Sequence, residues 1–354
     1  MTSPLAPPFP PPTEIRLDEL GELIAGIPGL LGFHPADSLV LVTFSHRDRY
    51  RLGPTVRVDL PAPGGRRELV HQLRGALDQN EVVAVASVVV GGGNADPPDL
   101  PHRELARVLA DELSTMGVRL VHSAWVPAIV HDVTWWCYED HECTGQVHDP
   151  RTSTLAVLQT VEGVVTHDSR ADMAGLLAPD REDRVAHRAD LLAALAEGDT
   201  GPDEMLAVIA AAATHESLPE LDDQQLVRLG AALCRPPVRD TCLTLSITDL
   251  AWSAERLWTV LTRAMPAPER AEPAFLLALF AYLRGSAVLA GMALEVAMDA
   301  DPDHAMAPLL RDALDQGTPP HVLRKMLHTS IERAHAADHA ERSPATVFRQ
   351  TPSG

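Results

Sequence analysis

The chain has 354 residues, 45% of them hydrophobic and 22% charged, with a net charge of −20; that is enough sequence for two domains and a sizeable core. Aromatic residues are only 4%, so the core is expected to be Leu, Val and Ala, a composition that favours helix over an all-β fold. The charge would repel a phosphate backbone and an anionic membrane surface alike, so nucleic-acid and membrane partners are set aside.

Residues 1–16 are rich in proline (Pro4, Pro7, Pro8, Pro10, Pro11, Pro12) and read as an extended or disordered tail. They carry neither the basic nor the apolar region of a signal peptide. No apolar run reaches membrane-spanning length. The four cysteines, Cys137, Cys143, Cys234 and Cys242, are too few for a disulfide framework. These features together predict a soluble, cytoplasmic protein.

The stretch Leu17–Val42 (LDELGELIAGIPGLLGFHPADSLVLV) organises the first half. Leu17, Leu20, Ile24 and Ile27 fall on one face and predict an amphipathic helix that Pro28 breaks or restarts. Gly32 suits the C-cap, and Pro35 forbids continuation. Ser38–Ser45 reads as a strand buried on both faces. After a polar turn at His46–Gly53, Thr55–Leu60 reads as its hairpin partner. Arg66–Gln79 has helical spacing, and Val82–Val90 reads as a central strand. Gly91–Pro101 is a loop, and Pro101 opens a helix that ends at Met116 before Gly117. Val118–Val130 and Val133–Tyr138 read as a hairpin about His131 and Asp132.

Strand signals stop near Pro150. Beyond it, helices are expected at Ser153–Glu162, Ser169–Leu177, Glu182–Glu197, Pro202–Ala213, Asp222–Cys234, Val238–Leu245, Asp249–Ala264, Pro273–Arg284, Ser286–Asp299, Ala305–Asp315 and Pro319–Ala334. The expected fold is an α/β N-terminal domain with a mixed sheet (17–150), followed by an all-α helical array (151–335) and a flexible tail (336–354).

His34, Asp37 and Ser38 are the residue types of a hydrolytic triad, yet they sit together on one turn. A working triad gathers its members from separated positions and raises its Ser on an elbow, and G-x-S-x-G is missing here. The expected role is therefore turn shaping, with Asp37 or Ser38 capping backbone groups. Arg57 and Asp59, at i and i+2, share one face of a strand. They read as a cross-strand ion pair on a solvated face, or as the floor of a ligand pocket beside His34. His34, Asp37, Ser38, Arg57 and Asp59 are the ligand-binding candidates; no residue is assigned as catalytic.

Gly91–Gly93 stands where α/β proteins bind phosphates, but it matches neither glycine fingerprint and is followed by Asp96 and Asp99, so it reads as a flexible loop. In VTWWCYEDHECTGQVH, Cys137, His141, Cys143 and His148 could supply metal ligands, but their spacing, C-x3-H-x-C-x4-H, is not that of a zinc knuckle. Neither a metal nor any other cofactor is expected, and the thiols read as buried or as a redox-prone pair. Trp135 and Trp136 should point to opposite faces, one into the core and the other over the site or the domain junction. Cys234 and Cys242 read as small core residues. The acidic clusters Asp180–Asp183 and Pro219–Asp223 read as solvated turns or first helical turns. Gly285–Pro302 looks like the second half of a tetratricopeptide repeat through Gly285, Ala290, Leu294, Ala297 and Pro302.

Ile27–Val42, Val56–Pro61, the segment around Trp135–Gly145 and Leu276–Pro302 together resemble an actinobacterial family known as domain of unknown function 4192. The chain departs from that pattern at Glu142 and Thr144, where members often carry a further Cys and a Pro. The resemblance implies no activity, cofactor or catalytic residue. The reading reached from sequence is a non-catalytic binding or interaction protein, its partner a protein or small molecule. The alternative is a small-molecule enzyme or ligand sensor with His34 as acid/base, Asp59 as its orienter and Arg57 as an anion clamp.

Overall fold

A computed structural model describes residues 19–46, 51–95, 97, 99–154, 156, 165–195, 202–214 and 218–329. The proline-rich tail, most of the helix expected at Ser153–Glu162 and the C-terminal tail lie outside these residues.

The first half is a mixed six-stranded sheet in the order β2-β1-β3-β4-β5-β6. Its strands are β1 (Ser38–Ser45), β2 (Arg51–Asp59), β3 (Ala84–Val90), β4 (Arg119–Val126), β5 (Thr134–Cys137) and β6 (Thr144–Gln146). β1 pairs antiparallel with both β2 and β3, and β3 pairs parallel with β4. The parallel pair needs a crossover, which α3 (Arg103–Thr115) supplies. β1 and β3 are buried along nearly their whole length, as their unbroken apolar runs require.

The two faces of the sheet carry different cores. Leu39, Leu41, Val85, Val89 and Trp125 pack with Val70, Leu73 and Leu77 of α2 (Arg66–Gln79) and with Leu105, Leu109 and Leu113 of α3. Val40, Val42, Phe44, Ala86, Val88 and Val126 belong instead to one contiguous apolar cluster that includes α1 (Leu20–Leu31) and the inner faces of the helical half.

α1 departs from its sequence reading in two respects. It is buried on nearly every side rather than along one stripe, and it runs through Pro28 to Leu31. Gly32 then closes it in the left-handed conformation (φ 81°), as the C-cap signal required. Enclosure on all sides explains the composition: Gly21 lies against the Gln146 carbonyl, Gly32 against Met173, and Phe33 bridges to His167. Glu22 accepts from the Thr154 N–H (2.8 Å) and pairs with His148 (3.1 Å). Burial opposes ionisation of Glu22, but these bonds outweigh it and hold its carboxyl below the usual range.

The second half is helical: α4 (Arg170–Gly175), α5 (Glu182–Ala193), α6 (Pro202–Thr214), α7 (Asp223–Leu233), α8 (Pro236–Thr244), α9 (Ala251–Ala264), α10 (Ala271–Leu283), α11 (Ala287–Ala300), α12 (Ala307–Asp315) and a last helix at 320–329. α10 is buried on every side, and α10–α11 is the most closely packed helix pair. Ala290, Leu294 and Ala297 lie at 0% exposure in it, where small residues let the helices approach. Asp222 caps α7 through a reciprocal capping box with Gln225.

The acidic clusters do supply first helical turns, with Glu182 and Asp183 opening α5 and Asp223 opening α7, and two of their carboxylates do more than face solvent. Asp180 and Asp223 each bind Arg188 at 2.7 Å, and this guanidinium is 1% exposed and also reaches the Ala264 carbonyl. Three chain segments thus converge on one buried cation. The β5–β6 hairpin was not expected either: β6 is three residues of Thr, Gly and Gln, too short and polar to carry a strand pattern. The expected turn at His46–Gly53 also gives way earlier, because β2 begins at Arg51. Among the described residues, no helix is long and apolar enough to cross a membrane.

Candidate functional site

Three of the sequence candidates meet at the start of β1. Ser38 is fully buried. Its hydroxyl donates to the Ala36 carbonyl (2.6 Å) and accepts from Arg57 Nε (2.8 Å). Arg57 continues to Asp59 at 2.6 Å and lies 5.9 Å from the Phe33 ring centroid. The Arg57 side chain is only 11% exposed, whereas that of Asp59 is 84% exposed. The register explains the grouping: Ser38 stands opposite Asp59 and Val40 opposite Arg57, all on the sheet face that carries α1. A serine whose proton is committed to a carbonyl and whose oxygen is held by a guanidinium is poorly placed as a nucleophile.

Asp37 belongs to a different group. It adopts φ 44°, accepts the Gly92 N–H at 2.8 Å, and accepts the Leu60 N–H through its carbonyl at 3.0 Å. The Gly91–Gly93 turn is therefore pinned, contrary to its reading as a flexible loop. Gly91 donates to Val126 (2.9 Å) and accepts from Trp125 Nε1 (2.8 Å), and the Gly92 carbonyl meets His102 Nε2 (3.1 Å). All three glycines have positive φ, and a Cβ on Gly91 or Gly92 would collide with Asp37 or His102. The N–H group that a phosphate would seek is occupied by the chain's own carboxylate. This role for Asp37 was legible in kind, as a turn cap, but its partner lies 55 positions away.

His34 is half-buried. Its backbone N–H donates to the His167 carbonyl at 3.0 Å, and its ring makes no hydrogen bond among the described residues. Cys137 and Cys143 oppose one another across the hairpin, joined by a backbone bond of 3.0 Å. Burial, with the neighbouring Cys137 thiol, pushes the Cys143 thiol up. Cys137 and Cys143 are neighbours, but among the described residues no group of three or more His, Cys, Asp and Glu is placed to hold a metal ion. Trp135 is core, while Trp136 stacks on Trp125 with centroids 5.5 Å apart, on the α3 face of the sheet.

The large cavity escaped sequence reasoning. A cleft of ≈ 1000 Å³ follows the outer edge of β2. Leu69, Leu73 and Ala76 of α2 form one wall, and Val288 and Met292 of α11 with Leu314 of α12 form the other. Asn80 closes one end by donating to the Gly317 carbonyl (2.6 Å), and Tyr282 donates to the Thr318 carbonyl beside it. Of the five sequence candidates only Arg57 lines this cleft. Arg170, Arg284 and Arg311 line it too, against Glu295 and Asp315. Arg284 is held by Glu255 (2.6 Å) and Arg311 by Asp315 (2.6 Å). Arg170 is exposed and has no ion-pair or hydrogen-bond partner among the described residues. The signal was hidden because walls and floor come from four stretches far apart in sequence.

No curated protein and no solved structure matches the chain. A family model described as Domain of unknown function (DUF4192) matches residues 21–321, from within α1 to the start of the last described helix, and the chain belongs to that family.

Proposed function

We propose that the protein is a cytoplasmic, non-catalytic binding module whose partner, a protein or a small molecule, occupies the cleft along β2. The cleft itself carries this reading. At ≈ 1000 Å³ it stands at the upper end of ligand-pocket volumes, and its lining mixes apolar side chains with a few guanidinium groups. Its charged groups are mostly tied into fixed pairs, which suits recognition better than proton transfer. The four thiols are free, in keeping with a reducing compartment. The enzymatic alternative, with His34 as acid/base, needs that ring to be oriented by Asp59 beside Arg57; Arg57 and Asp59 are paired, and the His34 ring has no such partner among the described residues.

The test is differential capture from a native lysate, with wild type and Gly291→Leu as baits. Gly291 faces the cleft from α11, and a Cβ there meets only ordinary contacts with Leu314 and Arg311. Leucine also favours helix over glycine, so the variant should fold with its cleft filled. Proteins or small molecules retained by wild type and lost from the variant are expected. Capture unchanged by the substitution, together with turnover in a substrate screen, would overturn the reading.

A further inference from the structure

β2 is one of the two edge strands of the sheet. The bond from the Leu60 N–H to the Asp37 carbonyl sets the parity of its ladder. Residues of an antiparallel pair alternate between bonding to the neighbour and turning away from it. The register pairs Leu39 with Val58 and Leu41 with Val56, so these form the bonded positions. Thr55, Arg57 and Asp59 therefore direct N–H and C=O groups outward. None of these groups has a hydrogen bond among the described residues.

Free edges are usually blunted. Here Pro54 and the bulge between Val42 and Phe44 disturb the first half of β2, but Thr55–Asp59 is regular. Instead of being covered, Thr55–Val58 of this half lines the cleft between α2 and α11, with Asp59 just beyond its end. Strand residues rise about 3.3 Å each, so the Leu52–Val58 wall is roughly 20 Å long, the shape of an extended chain. The two walls also differ. On the Arg57 side stand Arg170, Arg284 and Arg311 beside Val288, Met292 and Leu314; Asp59, Glu255 and Asp315 hold Arg57, Arg284 and Arg311, which leaves Arg170 as the guanidinium with no partner among the described residues. On the Val56 and Val58 side stand Leu69, Leu73 and Ala76.

Building on the binding reading above, we propose that the cleft is a socket for one more strand. The ligand is an extended acidic segment of a partner protein that adds to the Thr55–Asp59 edge. Its alternate side chains are carboxylates on the Arg57 side, within reach of the unpaired Arg170, and apolar groups facing α2. Main-chain bonds hold the segment, and the alternation selects it.

The full chain, immobilised, is panned against a phage-displayed library of random dodecapeptides, and the strongest isolate is synthesised for anisotropy measurements. Isolates alternating acidic and apolar residues are expected. Thr55→Pro removes an outward N–H that the fold does not use, and it should raise Kd at least tenfold, as should Arg170→Glu. In wild type, the peptide should slow amide exchange at Thr55, Arg57 and Asp59 at least tenfold, a readout that needs no variant. The proposal falls if no isolate is enriched, if isolates lack the alternation, or if exchange at those three amides is unchanged. It also falls if sedimentation shows a dimer that Thr55→Pro dissolves, since a second copy would then hold the edge. Binding abolished by Gly291→Leu but indifferent to Thr55→Pro would leave the cleft reading standing and remove strand addition alone; indifference to both removes both.

Discussion

Asp37 shows how much a single turn residue holds together. Its positive φ is a conformation that costs most L-residues about 1–2 kcal/mol and is tolerated best by Gly, Asn and Asp. Its carboxylate adds a bond to Gly92. Asp37→Ala should therefore lower stability by about 1–2 kcal/mol, and Asp37→Asn by clearly less. Urea midpoints at constant slope would measure both, and equal losses would show that backbone conformation is not the issue. Thiol chemistry offers a second check at this scale. Burial pushes the Cys242 thiol up to about 12, so iodoacetamide at neutral pH should leave it unlabelled in the native protein and label it after unfolding. The sequence announced the turn through Gly32, Pro35 and Asp37. It could not announce Gly92 as a partner, because side-chain spacing carries no information about a loop 55 residues away.

Arg188 sets the corresponding lesson for elements. It sits inside α5 among Val185, Leu191 and Leu192 at helical spacing, but its own charge hides it as a core residue, and it ties α5 to Asp180 and to the start of α7. Arg188→Leu should cost roughly 3 kcal/mol, the usual consequence of removing one partner of a buried pair. The pairing also makes a pH prediction. The hydrogen bond from Arg188 is the main cause that holds the Asp223 carboxyl below its ordinary value, with Arg184 adding to it against the opposing effect of burial. A depressed carboxylate contributes stability above its unfolded pKa and loses it as pH falls through the folded value. Wild type should thus lose stability from about pH 4 downward more steeply than Arg188→Leu; parallel acid denaturation curves would contradict this. Most helices and β1, β3 and α2 were legible, because their periodicity is strong and local. α1 misled because one apolar stripe is conspicuous while burial of its other sides depends on what packs there later. β6 carried no pattern at all.

For the whole molecule, the governing fact is that one apolar cluster joins a sheet face, α1 and the helical half. A single calorimetric transition is expected from a shared core. Two resolved transitions would mean instead that the α/β and all-α segments, which composition separates near Pro150, fold independently. The cleft is likewise a property of the whole chain, closed by Asn80 holding Gly317 at 237 residues' separation. The position of α1 has a further consequence, for synthesis. Its flanks are completed by residues near 167–177 and by helices made later still. Ribosomes add about 5–20 residues per second, so α1 and the face of the sheet beneath it wait on the order of ten seconds or more for their cover. A nascent chain that stalls in that interval presents bare Val40, Val42 and Val88 beside an open strand edge, which makes it a natural client for chaperones.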